Sequence, residues 1–343
     1  MNVDVAVIGA GIAGAAAAYE LAATHRVVLL EREDQPGYHT TGRSAALYTE
    51  TYGAPIIRAL TRASRPFLAA PPPGFAERAL LSRRGAMFVA TTGQDHLCEG
   101  LLADAIHPGT GAGLNEIGTT EALAHVPALD PQHVRRAFYN ASAMDIDVHT
   151  LHQGFLRAFT ARGGQLFASS PVSAISRRDR LWHVRVPAGE IRAGQVVNAA
   201  GAWADEVAAM ADVRPVGIVP KRRTALVFDP APAVDATSWP MVITVSEDCY
   251  FKPESGRLLA SPADETPSPP CDAQPEEIDV ALACDRVERW TTLRVARVQR
   301  KWAGLRCFVS DKAPVMGEDG SAPGFFWLAG QGGYGIMTAP ALS

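Results

Sequence analysis

At 343 residues, 47% hydrophobic and 20% charged, the chain has the composition of a globular protein and the length for about two domains around a large core. A net charge of −4 argues against a nucleic-acid surface, and no window is long and apolar enough to span a bilayer. Five widely spaced cysteines, none in a C-x-x-C pair, predict a reduced, cytoplasmic chain without a zinc site.

Val3-Asp4-Val5-Ala6-Val7-Ile8 is a short β-branched run and predicts a buried parallel strand. No Lys or Arg precedes it and Asp4 interrupts it, so it reads as core rather than as a leader. Gly9-Ala10-Gly11-Ile12-Ala13-Gly14 follows and fits G-x-G-x-x-G; the Ala-rich stretch up to Ala23 predicts a helix. Arg26–Leu30 predicts a second strand, ending on Glu31. In such a β-α-β unit Gly9 permits the tight turn, Gly11 lets backbone approach a pyrophosphate, and Gly14 lets the helix lie against the strands. The helix N-terminus, at Ile12 and Ala13, presents N–H groups and a positive dipole end to phosphate. Glu31 is placed to accept hydrogen bonds from ribose hydroxyls, which argues for FAD or NAD rather than NADP.

Residues 32–46 read as a polar, Gly-containing loop running into a helix, with Ser44 as its cap. The strand, the glycine turn, the acid, and then Gln35-Pro36-Gly37-Tyr38-His39 and Gly42-Arg43-Ser44-Ala45-Ala46 resemble the FAD-dependent D-amino-acid oxidase superfamily, in particular its D-arginine dehydrogenase branch. The resemblance implies non-covalent FAD, with contacts from Gly9, Gly11, Ile12, Ala13, Gly14, Glu31 and Arg32, and then from Arg43, Ser44, Ala45, Ala46 and Leu47.

Further along, Pro55–Ala70 is amphipathic and helical until Pro71-Pro72-Pro73-Gly74 stops it. Ala86–Ala90 and Ala137–Asn140 predict strands; Thr119 or Thr120 is expected to cap a helix over Glu121–His125. Asp145–His149 precedes a helix through Arg162, ended by Gly163-Gly164. Strands are expected within Gln165–Ile175, Leu181–Val186 and Gln195–Asn198, then near Ala225–Phe228, Met241–Val245 and Cys249–Phe251. Asp264–Glu277 is Pro-rich and reads as a surface loop before a helix to about Trp290. A last buried strand, Phe325–Ala329, runs into Gly330-Gln331-Gly332-Gly333-Tyr334-Gly335-Ile336, a second glycine turn suited to an anion.

These later motifs extend the resemblance over nearly the whole chain. It implies a Rossmann-type α/β FAD-binding domain (residues 1–46, 146–215 and 315–343) interleaved with an antiparallel-sheet substrate domain (47–145 and 216–314). It also implies cofactor contacts from Val172, from Ala200, Gly201 and Trp203, and from Gly330, Gly332, Gly333, Tyr334, Gly335 and Ile336. Members of the family continue through a long helix, so a chain ending at Ser343 is expected to hold FAD less firmly.

Arg306 lies in the apolar stretch Trp302-Ala303-Gly304-Leu305-Arg306-Cys307-Phe308, where a cation must be either paired internally or ligand-binding. The resemblance places it on the substrate α-carboxylate, with Arg223 and Tyr250 at the same end and Tyr52 on a loop above; Arg222 competes with Arg223, and spacing leaves the two open. The sequence departs from the arginine-selective pattern at three positions. Ala86 replaces a Glu, Leu47 a His and Met337 a Gln, so Ala86 and Met337 are expected to set an apolar side-chain preference. His149 and His152 stand three apart without a further ligand, so no metal is expected, and no G-x-S-x-G nucleophile is present. The expected activity is oxidation of the Cα–N bond of a D-amino acid or similar amine, with oxygen or a quinone as electron acceptor. The rivals are 2-hydroxy-acid oxidation by the same clamp, or a flavoprotein without turnover.

Overall fold

A computed structural model describes residues 1–105, 113–232 and 234–343. Residues 106–112 and 233, inside the expected substrate-binding stretches, lie outside the described residues. Strand β1 (Asn2–Ile8), helix α1 (Ile12–Leu21) and strand β2 (Val27–Leu30) open the chain. Helix α2 (Pro55–Ala69) precedes β3 (Ala86–Ala90); α3 (Val148–Ala161) leads into β4 (Gln165–Phe167). The long strand β5 (Gly189–Asn198) turns into α4 (Ala204–Met210). Strands β6 (Val219–Phe228), β7 (Met241–Thr244), β8 (Tyr250–Glu254) and β9 (Arg257–Ser261) follow, then α5 (Glu277–Trp290) and β10 (Val298–Phe308). Strand β11 (Phe325–Ala329) and α6 (Gly335–Leu342) close it.

Among the described residues the first sheet has eight strands, with β11, β5, β1, β2 and β4 as neighbours in that order. All four contacts in that run are parallel, and Ile8 stands level with both Leu30 and Asn198, while Asn198 stands level with Trp327. The carboxyl ends of β1, β2 and β5 therefore open at one edge, where ligands bind in doubly wound sheets. Strand β1 is Val- and Ala-rich because both its faces are covered. Helix α1 presents Ala15, Ala16 and Ala18 with no solvent exposure, and these small side chains let it lie close to α3, β1 and α6. Interleaving follows directly: this sheet takes strands from the start, the middle and the end of the chain, and a nine-stranded sheet takes the stretches between.

The nine-stranded sheet is antiparallel except where β3 runs parallel to β7. No hairpin joins those two strands; the chain passes through the first sheet between them, so a tight turn does not dictate their direction. Two expected caps are corrected. Ser44 ends a short 3₁₀ turn (Thr40–Arg43) in extended backbone and starts no helix. Gly118, not a threonine, flanks the helix Thr119–His125, which already includes both threonines.

Candidate active site

Between the two sheets lies a cavity of about 400 Å³, within the size range of small-molecule and cofactor sites. Its floor is the first glycine turn. Gly9 has φ +98°, and a Cβ there would lie 2.5 Å from the Ala199 carbonyl oxygen; one on Gly14 would lie 1.9 Å from the Gly9 oxygen. Glycine is therefore obligatory at both positions for the helix to start against the strands. Glu31 is buried, and its carboxylate accepts hydrogen bonds from the backbone N–H of Ala10 (2.9 Å) and of Glu33 (3.0 Å). A carboxylate has about four acceptor positions, so capacity for a ribose hydroxyl remains. The Ile12 N–H at the start of α1 donates to Thr41 Oγ1 (3.0 Å), which fixes residues 37–45 beside the turn as one wall of the cavity. Beyond Glu31 the lining continues through Arg32, Val172 and Trp203, where the Arg32 guanidinium stacks 4.8 Å from the Trp203 ring. A deep glycine turn, an anchored acid and a flat aromatic wall together suit a dinucleotide.

The other end is cationic. In the β6–β10 ladder Arg223 faces Gly304 and Lys221 faces Arg306, so these four share one face of the sheet. Arg222 points the opposite way, where its guanidinium pairs with Glu276 (2.6 Å) and Asp279 (3.1 Å) on α5 and the residue before it. Strand alternation thus resolves what spacing left open: Arg223 lines the cavity and Arg222 is spent on packing. Arg223 Nε donates to the Asp264 carbonyl (2.8 Å), and Nη2 pairs with Glu265 (3.3 Å). Burial, and then the neighbouring Arg306 guanidinium, pull Arg223 below the usual arginine range. The Arg306 guanidinium has no hydrogen bond or ion pair among the described residues. It lies over Gly333, where a Cβ would come within 2.8 Å. The Gly332 N–H donates to the Cys307 carbonyl (2.9 Å) and ties the second glycine turn to β10 beside Arg306. That amide is therefore not available to an anion.

The chain matches the family described as FAD dependent oxidoreductase over residues 4–343. The chain belongs to that family. The glycine oxidase of Geobacillus kaustophilus (strain HTA426) is 26% identical over 354 aligned residues, covering 98% of this chain and 90% of the relative. The crystal structure of glycine oxidase from Geobacillus kaustophilus superposes with a TM-score of 0.85 at 23% identity, covering 99% of this chain and 92% of that one. The L-alpha-glycerophosphate oxidase from Mycoplasma pneumoniae, solved with FAD bound, gives a TM-score of 0.86 at 18% identity, over 100% of this chain and 93% of that one. At such identities the two structures speak for the fold.

As an FAD-dependent oxidoreductase, the protein brings most of the expected residues to this one cavity. Gly9, Gly11, Ile12, Ala13, Glu31 and Arg32 line it, as do Arg43, Ser44 and Ala45. So do Val172, Ala200, Gly201 and Trp203, and Gly332, Gly333, Gly335 and Ile336, with Arg223, Tyr250 and Arg306 at the cationic end. Gly14, Ala46, Leu47 and Gly330 stand behind the lining. Tyr334 and Tyr52 also stand back from it and pair with each other, ring centroids 5.5 Å apart; burial raises both phenols above their usual range.

The two expected specificity residues stand away from this cavity. Ala86 is fully buried among Phe88, Cys98 and Phe138, with Leu47 packed against that cluster, so it does not meet the cavity. Met337 is buried in the core on α6 rather than on the lining. Arg43 lines the cavity, and its guanidinium is held by protein acceptors: the carbonyls of Tyr38 (3.3 Å), Ala273 and Ala303 (both 2.9 Å) and the Asp272 carboxylate (2.5 Å).

Sequence reasoning missed Thr41, because nothing local links it to Ile12. It also missed Glu247, in the turn between β7 and β8 with φ +53°. Desolvation raises the Glu247 carboxyl, and the charge of Arg223 opposes the rise.

Proposed function

We propose that the protein oxidises the Cα–N bond of a D-amino acid or a similar small amine, with the substrate carboxylate held between Arg306 and Arg223. The observation that carries this reading is the pair of guanidiniums at one end of the cavity, one of which, Arg306, has no hydrogen-bond or ion-pair partner among the described residues. Two cations side by side in a partly dry site repel each other, and a single carboxylate relieves both. The edge of Arg223 formed by Nε and Nη2 is held by Asp264 and Glu265, which leaves its Nη1 side for the ligand; Arg306 offers its whole fork. Tyr250, buried on β8 and on the same lining, adds a phenol donor.

FAD, when bound, supplies the acceptor for the two electrons leaving Cα. The protein's share is orientation and charge. The guanidiniums disfavour a protonated amine nearby, and only the neutral amine has the lone pair that assists loss of the Cα hydrogen. The imino product then hydrolyses in water. With Ala86 and Met337 off the lining, side-chain preference rests on the cavity itself, and small or apolar side chains suit it best. Oxygen or a quinone would take the electrons on.

The test is anaerobic bleaching of the flavin absorbance by D-amino acids, glycine, N-methylglycine and 2-hydroxy acids. Bleaching by amino acids and not by hydroxy acids is expected. Bleaching by hydroxy acids alone would replace the amine reading, and no bleaching by any of them would leave a flavoprotein without this activity.

A further inference from the structure

The wall formed by residues 37–45 has little regular structure to hold it. Its one element is the short turn Thr40–Arg43. Beside the Ile12–Thr41 bond, what fixes it is a set of bonds to two other segments. Thr40 Oγ1 donates to the Leu305 carbonyl (2.8 Å), and Trp302 Nε1 donates to the Arg43 carbonyl (3.0 Å), both on β10. The Arg43 guanidinium reaches Ala303 on β10 and also Asp272 and Ala273, in the Pro-rich stretch before α5. Tyr38 closes the set: its hydroxyl donates to Asp272 (3.3 Å), and its ring lies 5.1 Å under the Arg43 guanidinium. The Arg43 side chain is 13% exposed and that of Asp272 46%.

We infer that Arg43 and Asp272 are cofactor-positioning residues: together they latch the Pro-rich stretch onto the wall of the FAD cavity, and FAD leaves faster when the latch is broken. Asp272 stands off the cavity lining and acts through Arg43, which lines the cavity, and through Tyr38; Asp272→Ala therefore tests the latch apart from any contact of Arg43 with FAD. Thr41, in the same wall, holds the first N–H of α1. An exposed ion pair alone is weak. This one differs because the partner cation is mostly covered and its planar fork is shared among four acceptors, the carbonyls of Tyr38, Ala273 and Ala303 and the Asp272 carboxylate. Loss of Asp272 leaves the fork without its charged acceptor. A lysine at 43 keeps the charge but cannot span the four.

This rests on FAD occupying this cavity. The experiment measures the FAD dissociation rate of the purified full-length holoprotein by recovery of free-flavin fluorescence, together with the melting temperature of the flavin-free protein. Asp272→Ala and Arg43→Lys are expected to speed dissociation about tenfold, with the flavin-free melting temperature unchanged. Asp272→Asn, whose amide oxygen still accepts from Arg43, should recover most of the loss. Dissociation at the wild-type rate in Asp272→Ala and Arg43→Lys overturns the latch. So does a fall in flavin-free stability that accounts for the whole change. Glu31→Ala is the control: if it too retains FAD at the wild-type rate, the placement of FAD in this cavity fails rather than the latch.

Discussion

At the scale of single residues, what matters is which polar groups the fold leaves unpaired. Arg222 and Arg43 have their side-chain partners within the protein, whereas the Arg306 guanidinium has none among the described residues. Arg306→Ala should therefore leave folding and FAD content near wild type while removing a bidentate, charge-assisted contact worth about 2–4 kcal/mol, roughly a 30- to 1000-fold fall in kcat/KM. Steady-state kinetics beside the flavin-to-protein absorbance ratio separate that outcome from misfolding. His152 is the opposite case. It is buried on α3 with its ring against Gly37, and its Nε2 donates to the Ala10 carbonyl (2.9 Å) inside the first turn. Burial holds its imidazole below the ordinary value of 6.5. Below that value the unfolded chain binds a proton that the folded chain refuses, so stability from this group is full above pH 6.5 and declines as pH falls through the window beneath it. Urea midpoints measured between about pH 7.5 and 5 should show that decline, and His152→Gln should flatten it.

At the scale of elements, the start of α1 is tightly constrained. Gly14 lets the helix descend onto the Gly9 carbonyl and the Ala199 side chain, and even a methyl group would overlap backbone there. Gly14→Ala must push α1 off the turn, costing about 1–3 kcal/mol by overpacking and displacing the amides proposed to meet the cofactor. Protein purified from this variant should carry little FAD and melt lower than wild type. A variant with normal flavin content would show that the turn tolerates the shift. The β6–β10 ladder does comparable work at the cationic end. Its register, rather than any loop, places Arg223 and Arg306 on one face.

Across the whole molecule, the cavity is built from both sheets: the glycine turn belongs to the eight-stranded one, and Arg223, Tyr250 and Arg306 to the other. A ligand bound there joins the two halves, and it binds the folded state alone. Saturating FAD should therefore raise the unfolding free energy, by about 2.7 kcal/mol at a hundred times its Kd. Thermal melts of flavin-free protein against added FAD test this; a melting temperature independent of FAD would mean that FAD does not bind the folded state in preference to the unfolded one. Among the described residues no helix is long and apolar enough to cross a membrane.

The sequence by itself determined the first β-α-β unit, its glycines and its acid, because each of those needs is local: a turn, a helix start and a strand end lie within a few bonds of one another. Strand alternation and the glycine cluster near the C-terminus were legible for the same reason. Only the tertiary structure decided which of Arg222 and Arg223 faces the cavity, since a one-residue change of register reverses a strand's faces. It alone showed that Arg43 is spent on Asp272, that Thr41 serves Ile12, and that Ala86 sits behind Leu47. Each of these depends on partners brought together from distant parts of the chain, and no local pattern encodes which face of one sheet will meet which edge of another.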